Sequence, residues 1–269
     1  MPDIQNYASY TGRMSKSLLD KAFFADKIPG AKVVIDYGCA DGALISFLSD
    51  LFPNLCYIGV DRDPHMIQLA GERVGGRKNI GFLTSTEDVD VLIRRIGASP
   101  DEICVNFSSV LHEVFHYKQG MEEIPDFLAS VNPKYITVRD MMYFEPYSYQ
   151  LPWSVIRKVY RVLPGKQLDD FIGKFGRLDK QKNLVHFLLK YRYLDNWERE
   201  CAENYFSYTY DEAIRLLDGN SKYITAYSCD YVLPWFRYYV KQDFNIDIDR
   251  ELSPFSTHYQ LILNRKESR

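Results

Sequence analysis

The chain has 269 residues, of which 46% are hydrophobic, 26% charged and 15% aromatic. That is enough apolar material for one large α/β domain with an insertion, or for two unequal domains. A net charge of −3, from 33 Lys and Arg against 36 Asp and Glu, excludes a uniformly basic nucleic-acid binder but not a local basic face. No run approaches about 18 uninterrupted apolar residues, so no transmembrane helix is expected. The polar N-terminus lacks the apolar core of a secretory leader. Cys39, Cys56, Cys104, Cys201 and Cys229 are odd in number and form no C-x-x-C pair. They read as reduced thiols of a cytoplasmic protein.

Along the chain, residues 14–24 carry a helical pattern. Residues 31–36 form a short β-branched run, followed by a glycine turn and a helical pattern over 43–51. A second apolar strand over 55–61 leads into a helix opened by Asp63-Pro64, with proline at a first-turn position. Residues 79–83, 102–107 and 135–138 read as three further strands, with segments near 86–97 and 119–130 long enough for helices. Near-continuous apolar strands alternating with helices predict a doubly wound α/β fold, its mostly parallel sheet covered on both faces. After Arg139-Asp140 the rhythm breaks.

Residues 141–210 contain Pro146, Pro152 and Pro164 and many aromatics. Leu184, Phe187, Leu188, Tyr191 and Leu194 fall at helical spacing, so this stretch is read as a helical insertion after the fifth strand. Between 150 and 200 stand eleven Lys and Arg against six Asp and Glu. That excess is either a solvated helix face or a surface for an anionic partner, nucleic acid included. Trp153, Trp197 and Trp235 are read mainly as packing, with Tyr143 and Tyr191 as candidates for an aromatic substrate wall. A helical pattern over 210–217 and strands over 223–228 and 258–263 close the chain. His258 opens the last strand, where it faces either pocket or solvent.

The informative stretch is Val33–Gly42, VVIDYGCADG. A strand ends at Asp36, and Gly38 and Gly42 bracket a tight turn into a helix, where backbone can approach a ligand closely. In a dinucleotide site the turn would read G-x-G-x-x-G around two phosphates. A carboxylate at the strand end disfavours a pyrophosphate and favours an ammonium or hydroxyl group. Asp61, 25 residues on, closes the second strand in position to accept two ribose hydroxyls. The ligand so described has a ribose and a cationic tail but no phosphate.

D-x-G-x-x-x-G after the first strand, with an acid ending the second, resembles class I S-adenosylmethionine-dependent methyltransferases over about residues 31–140. The resemblance implies S-adenosyl-L-methionine as cofactor. It places Asp36, Gly38, Cys39 and Ala40 at the methionine half, Asp61 at the ribose, and Arg62 and Met66 beside the adenine. Ser85 stands where many members have an aspartate for the adenine amino group, and that contact passes to Ser85, Thr86 or backbone. Asn106, Phe107 and Ser108, then His112, match the segment that lines the methyl-transfer pocket. Tyr7, Tyr10 and Arg13 resemble an N-terminal lid, in which Arg13 pairs with the methionine carboxylate and Tyr10 reaches the substrate. The implied organisation is a helical lid over 1–30, a cofactor-binding core over 31–140, a helical cap over 141–210, and a helix with strands over 211–269 completing the sheet.

His112-Glu113-Val114-Phe115-His116 is formally the H-E-x-x-H zinc-protease signature. That chemistry needs an extended helix and a third protein ligand, and Lys118-Gln119-Gly120 follows too soon for a long helix. No metal is assigned. His112 is taken as a pocket residue or general base, with Glu113 beside it, and Arg139 at the fifth strand's end as a substrate contact. The expected reaction is in-line methyl transfer to an oxygen or nitrogen of a small or medium-sized acceptor: a metabolite, glycan or natural-product precursor. RNA or another polyanion is the second reading, and a non-catalytic nucleoside binder or a metal hydrolase the rivals. No membrane partner is expected, and the sequence leaves the oligomeric state open.

Overall fold

The computed structural model describes residues 2–144, 148–163 and 165–267. Pro146 and Pro164 lie outside the described residues. Seven strands form one sheet: β1 Val33–Tyr37, β2 Cys56–Val60, β3 Ile80–Leu83, β4 Ile103–Ser108, β5 Tyr135–Met141, β6 Tyr223–Tyr231 and β7 His258–Arg265. The first helices are α1 Tyr7–Met14, α2 Leu18–Lys21, α3 Ala43–Leu51, α4 Pro64–Val74, α5 Val89–Ile96, α6 Leu111–Tyr117 and α7 Glu123–Val131. Then follow α8 Trp153–Tyr160, α9 Gly165–Phe175, α10 Gln181–Lys190, α11 Trp197–Ala202, α12 Tyr210–Leu217, α13 Pro234–Phe244 and α14 Ile248–Glu251.

The strand order is β3-β2-β1-β4-β5-β7-β6. β1 to β5 pair in parallel, with Asp36 opposite both Gly59 of β2 and Asn106 of β4. β7 runs the other way. Its residues 265 and 266 bond to the carbonyls of Lys134 and Lys222, whereas Thr257 bonds to Met142 and Tyr231 at the opposite strand ends. All seven strands expected from the sequence are present, in a doubly wound, mostly parallel sheet. The order reverses between β1 and β4, and a crevice opens outside the strand ends at such a switch point.

Contacts divide the chain into two compact units. One comprises Tyr7–Asp140, Tyr210–Cys229 and the residues from Gln260 onward. β1 is four-fifths buried and β4 buried throughout, as a sheet covered on both faces requires. Phe24, Ile28, Val34, Leu44, Ile45, Leu48, Tyr57 and Ile262 make one apolar cluster here. α4 begins as its sequence directs: Asp63 accepts the backbone N–H of His65 at 2.9 Å, and Pro64 occupies the first turn. α2 is tied to β5 by the Asp20 carboxylate, which accepts Arg139 Nε at 2.6 Å and Nη2 at 2.5 Å.

The other unit comprises the residues up to Asn6, Met141–Thr209 and Asp230–Tyr259. Residues 230–259, grouped in the sequence with the C-terminal sheet segment, thus gather with the helical region. The reason is α13, whose Phe236, Val240 and Phe244 join Val155, Phe171, Leu184, Phe187 and Leu188 in one core. Trp153 and Trp235 are 60% and 61% exposed, so two of the three tryptophans are not packing residues. No helix of the described residues is long and apolar enough to cross a membrane.

Arg139 is 3% exposed and its guanidinium is ion-paired with Asp20. Asp20→Ala should lower stability by about 3–5 kcal/mol, the range for breaking a buried ion pair from one side. Urea denaturation checks this through the transition midpoint.

Candidate active site

The site begins with a buried carboxylate. Asp36 is 3% exposed, and its Oδ1 accepts Asn106 Nδ2 at 2.7 Å. Asn106 Oδ1 in turn accepts the Thr137 hydroxyl at 2.9 Å. Asp36, Asn106 and Thr137 sit in register on β1, β4 and β5. A hydrogen-bonded polar row therefore crosses the switch point inside an otherwise apolar sheet. Burial pushes the Asp36 carboxyl up to about 6, against the lowering influence of the Asn106 bond and the Lys21 charge. Its other oxygen accepts no hydrogen bond among the described residues.

The turn after β1 is shaped by packing as much as by any ligand. Gly38 has φ +76°, and a Cβ there would lie 2.7 Å from Val110 Cγ2. Gly42, at φ +68°, opens α3 with Phe82 and Ala70 equally close. Between them Ala40 adopts φ 47° and aims its N–H at Asp61 Oδ2, 2.8 Å away. The other Asp61 oxygen accepts the Asp63 N–H at 3.0 Å. Asp61 is thus fixed by two backbone donors, while burial raises its pKa against their pull. The Tyr7 hydroxyl of α1 donates to Asp63 Oδ2 at 3.2 Å, and its ring meets His65 edge-on at 4.5 Å. The N-terminal helix therefore lies over the turn that presents Asp61.

His112 opens the other side of the site. It is 3% exposed, on the seven-residue α6. Asp140, wholly buried at the end of β5, accepts its backbone N–H at 2.9 Å and stands 2.7 Å from its Nδ1. This bidentate hold orients the ring with Nδ1 toward the Asp140 carboxylate. Asp140 and Arg139, neighbours that could have neutralised each other, instead serve different partners. α6 stops at Tyr117, with Lys118 at φ 59°, so the H-E-x-x-H helix is short. Glu113 lies 4.0 Å from Arg62, and His116 packs edge-on against Tyr117.

The remaining expected contacts divide. Ser108 is 8% exposed, and its Oγ is buried without a hydrogen-bond partner among the described residues. Ser85 is exposed, and Thr86 donates to Glu123 at 2.8 Å. The Arg62 side chain is half exposed and donates to Gln119. Tyr10 and Arg13 are half-buried on α1. Three expected side chains belong to the core instead: Cys39, Met66 and Phe107 are 4%, 2% and 0% exposed, with Phe107 against Tyr37. Arg139, expected at substrate, is committed to Asp20 and to Ser109 Oγ at 2.9 Å.

In the other unit, Tyr143 and Tyr191 are core residues rather than an open aromatic wall. Tyr143 donates to Gln181 and Tyr191 to Asp243. His258 is buried, its Nδ1 2.9 Å from Thr257 Oγ1.

Sequence reading missed Thr137, Asp140 as the partner of His112, and Lys21. Thr137 and Asp140 carried a signal, since both are polar residues in the apolar run of β5. Lys21 carried none, because a lysine in a short helix ordinarily reads as solvated.

No protein-family model and no curated protein matches the chain. Among solved structures it is similar to the methyltransferase domain of bacterial-CtHen1-C, at 13% identity and TM-score 0.49 over 94% of this chain and 99% of that one. It is also similar to the N-methyltransferase NodS from Bradyrhizobium japonicum WM9, at 11% identity and TM-score 0.44 over 98% and 99%. The plantazolicin methyltransferase BpumL in complex with SAH matches at 12% identity and TM-score 0.44, over 97% and 86%. The sheet order and the acid–glycine turn stand independently of these likenesses. The fold is a doubly wound, mostly parallel α/β sheet of order β3-β2-β1-β4-β5-β7-β6. What the site does follows from its own residues.

Burying a carboxylate that ionises near pH 6 costs stability at neutral pH. A folded-state pKa above the ordinary 3.8 means that the native state binds the proton more tightly than the unfolded chain does. Asp36→Asn should therefore raise the stability of the ligand-free protein at pH 7.5. The gain should shrink as pH falls through about 6 and vanish below about 4. Urea midpoints of both proteins across that range check the sign.

Proposed function

We propose that the chain is a class I S-adenosylmethionine-dependent methyltransferase acting on an oxygen or nitrogen of a small or medium-sized acceptor. The observation that carries the reading is the pair of carboxylates at the ends of adjacent parallel strands, the second held by the Ala40 N–H of the turn that follows the first. The donor set suits the cofactor. Asp36 keeps one oxygen for an ammonium group, and Ser108 presents a buried hydroxyl with no partner among the described residues. Asp61, oriented by two backbone N–H groups, retains acceptor capacity for ribose hydroxyls. When bound, S-adenosylmethionine supplies a methyl group on a positively charged sulfur, open to in-line attack.

The chain's own contribution is alignment and proton handling. Holding two reactants in attack geometry is worth up to about 7–11 kcal/mol. His112 is the catalytic base of the proposal: its Nε2 takes the proton from an acceptor hydroxyl or N–H. Asp140 is a positioning residue that fixes the ring and stabilises the imidazolium formed. A base so oriented favours an acceptor that must lose a proton over one already ionised.

Part of the basic excess between 150 and 200, on which the polyanion reading rests, is paired or buried. Lys158 pairs with Glu251 at 2.5 Å and Arg192 with Asp243 at 2.7 Å. Lys190 is wholly buried, donating to the carbonyls of Glu200 and Glu203. Arg199 is buried and donates to the Pro2 carbonyl. Arg157, Arg161, Lys166, Lys174, Arg177 and Lys180 are exposed and remain as the basic face.

Isothermal calorimetry should show saturable binding of S-adenosylmethionine and S-adenosylhomocysteine, and none of NAD(H). Asp61→Ala should weaken both by about 1.5–3 kcal/mol, as for hydrogen bonds to a charged group. Unchanged affinity in a folded Asp61→Ala protein, or NAD(H) binding alone, overturns the reading.

Once an acceptor is found by screening hydroxyl and amine compounds, His112→Gln should lower kcat by about 10²–10⁴-fold. Cofactor affinity should stay within about twofold. Asp140→Asn should lower kcat as well and shift the acid limb of the pH–rate profile.

A further inference from the structure

The hydrogen-bonded row that ends on Asp36 has a direction as well as a length. Thr137, wholly buried on β5, stands opposite Asn106 of β4, which in turn stands opposite Asp36 of β1. Its hydroxyl donates to Asn106 Oδ1 at 2.9 Å, and Asn106 Nδ2 donates to Asp36 Oδ1 at 2.7 Å. With its hydrogen committed to Asn106, the Thr137 oxygen is left as an acceptor, and Cys104 Sγ lies 3.8 Å from it. Burial pushes that thiol up to about 12, so Cys104 keeps its hydrogen and is the donor of the pair. The donors therefore run one way, from Cys104 through Thr137 and Asn106 to the carboxylate.

The direction matters because an amide can face a carboxyl group in two ways. With its N–H toward Asp36 it satisfies an ionised carboxylate. With its oxygen toward Asp36 it satisfies a protonated carboxyl, which carries no charge for a cation to meet. Asp36 stands near that balance, since burial has pushed its pKa up to about 6. The Thr137 hydroxyl occupies Asn106 Oδ1 and so favours the first orientation. Successive hydrogen bonds reinforce one another where the dielectric is low. One Asp36 oxygen is thereby filled from inside the sheet, and the other, unbonded among the described residues, is left charged for a ligand.

We propose that Thr137 is a positioning residue for the methyl donor's amino group, acting from two strands away through Asn106 and Asp36. The proposal rests on the methyl-donor reading and adds to it the residue that makes the site select nucleosides with an ammonium tail over those without one. Thr137 itself touches no ligand. A threonine that only filled space between strands could be exchanged for valine, which has the same shape, with no change in that selection. A threonine needed only for the integrity of the sheet would affect every ligand alike.

The test is calorimetric. S-adenosylhomocysteine and its deaminated analogue, with hydrogen in place of the amino group, are titrated at neutral pH into the wild type, Thr137→Val, Thr137→Ala and Thr137→Ser. The wild type should prefer the amino-bearing ligand by about tenfold or more, the scale of one charge-assisted hydrogen bond. Either hydroxyl-free variant that folds, judged by its melting transition, should bind S-adenosylhomocysteine about three- to tenfold more weakly, the scale of one neutral hydrogen bond. It should bind the deaminated ligand within about twofold of wild type. Thr137→Ser keeps the donor and should hold the wild-type preference within about twofold. Equal affinity of the wild type for both ligands overturns the proposal without any variant and leaves the methyl-donor reading in place. Equal losses on both ligands, an undiminished preference in a folded hydroxyl-free variant, or a serine variant no better than valine overturn it too. A wild type that binds neither ligand removes the methyl-donor reading itself, and this proposal with it.

Discussion

A carboxylate buried at the point where the sheet reverses direction sets the terms for the rest of the site. Asp36 costs stability where it stands, because its charged form has lost most of its water. Asn106 and Thr137 offset part of that cost by extending a hydrogen-bonded row across three strands. Each member of the row is useful only in register with the next, so the β1–β4–β5 pairing and the polarity of the site are one constraint. Buried polar chains of this kind hold a structure to one register, since a slip leaves every member unsatisfied.

The same economy appears in the turns. Gly38 and Gly42 are glycine because of φ above +60° and because Val110, Phe82 and Ala70 fill the space where a Cβ would go. The close packing that excludes a side chain also places the Ala40 N–H on Asp61. Loop shape, carboxylate orientation and helix start are therefore coupled. Asp20 does the corresponding work on the other flank, holding Arg139 and so fixing both α2 and the strand end that carries Asp140.

The helical unit obeys a different logic. Its aromatics are largely used up on one another: Phe171, Phe175, Phe187, Tyr205 and Phe206 surround His186 or one another at ring separations of 4.5–5.7 Å. Lys190 lies 3.5 Å over the Tyr205 ring and bonds two carbonyls at the end of α11, so a residue counted as surface charge is a core element. Composition alone could not separate these roles, because a cation on a helix looks the same whether its carbon stem is buried or solvated.

The sequence by itself determined the alternation of strands and helices, the strand ends at Asp36 and Asp61, and the glycine turn between them. These are local matters: apolar period, turn chemistry and helix start are written within a few residues of where they act. It also placed His112 just past a buried strand. Only the tertiary structure decided which polar residues meet. Asp140 faces His112 rather than its neighbour Arg139, Thr137 completes the row from Asp36, and Lys21 is buried on a helix that looked solvated. Phe107, Met66, Tyr143 and Tyr191 went to the core for the same reason. A side chain's partners are set by strand order and helix docking across a hundred residues or more of chain, as from Asp20 to Arg139. No spacing within one segment encodes that distance.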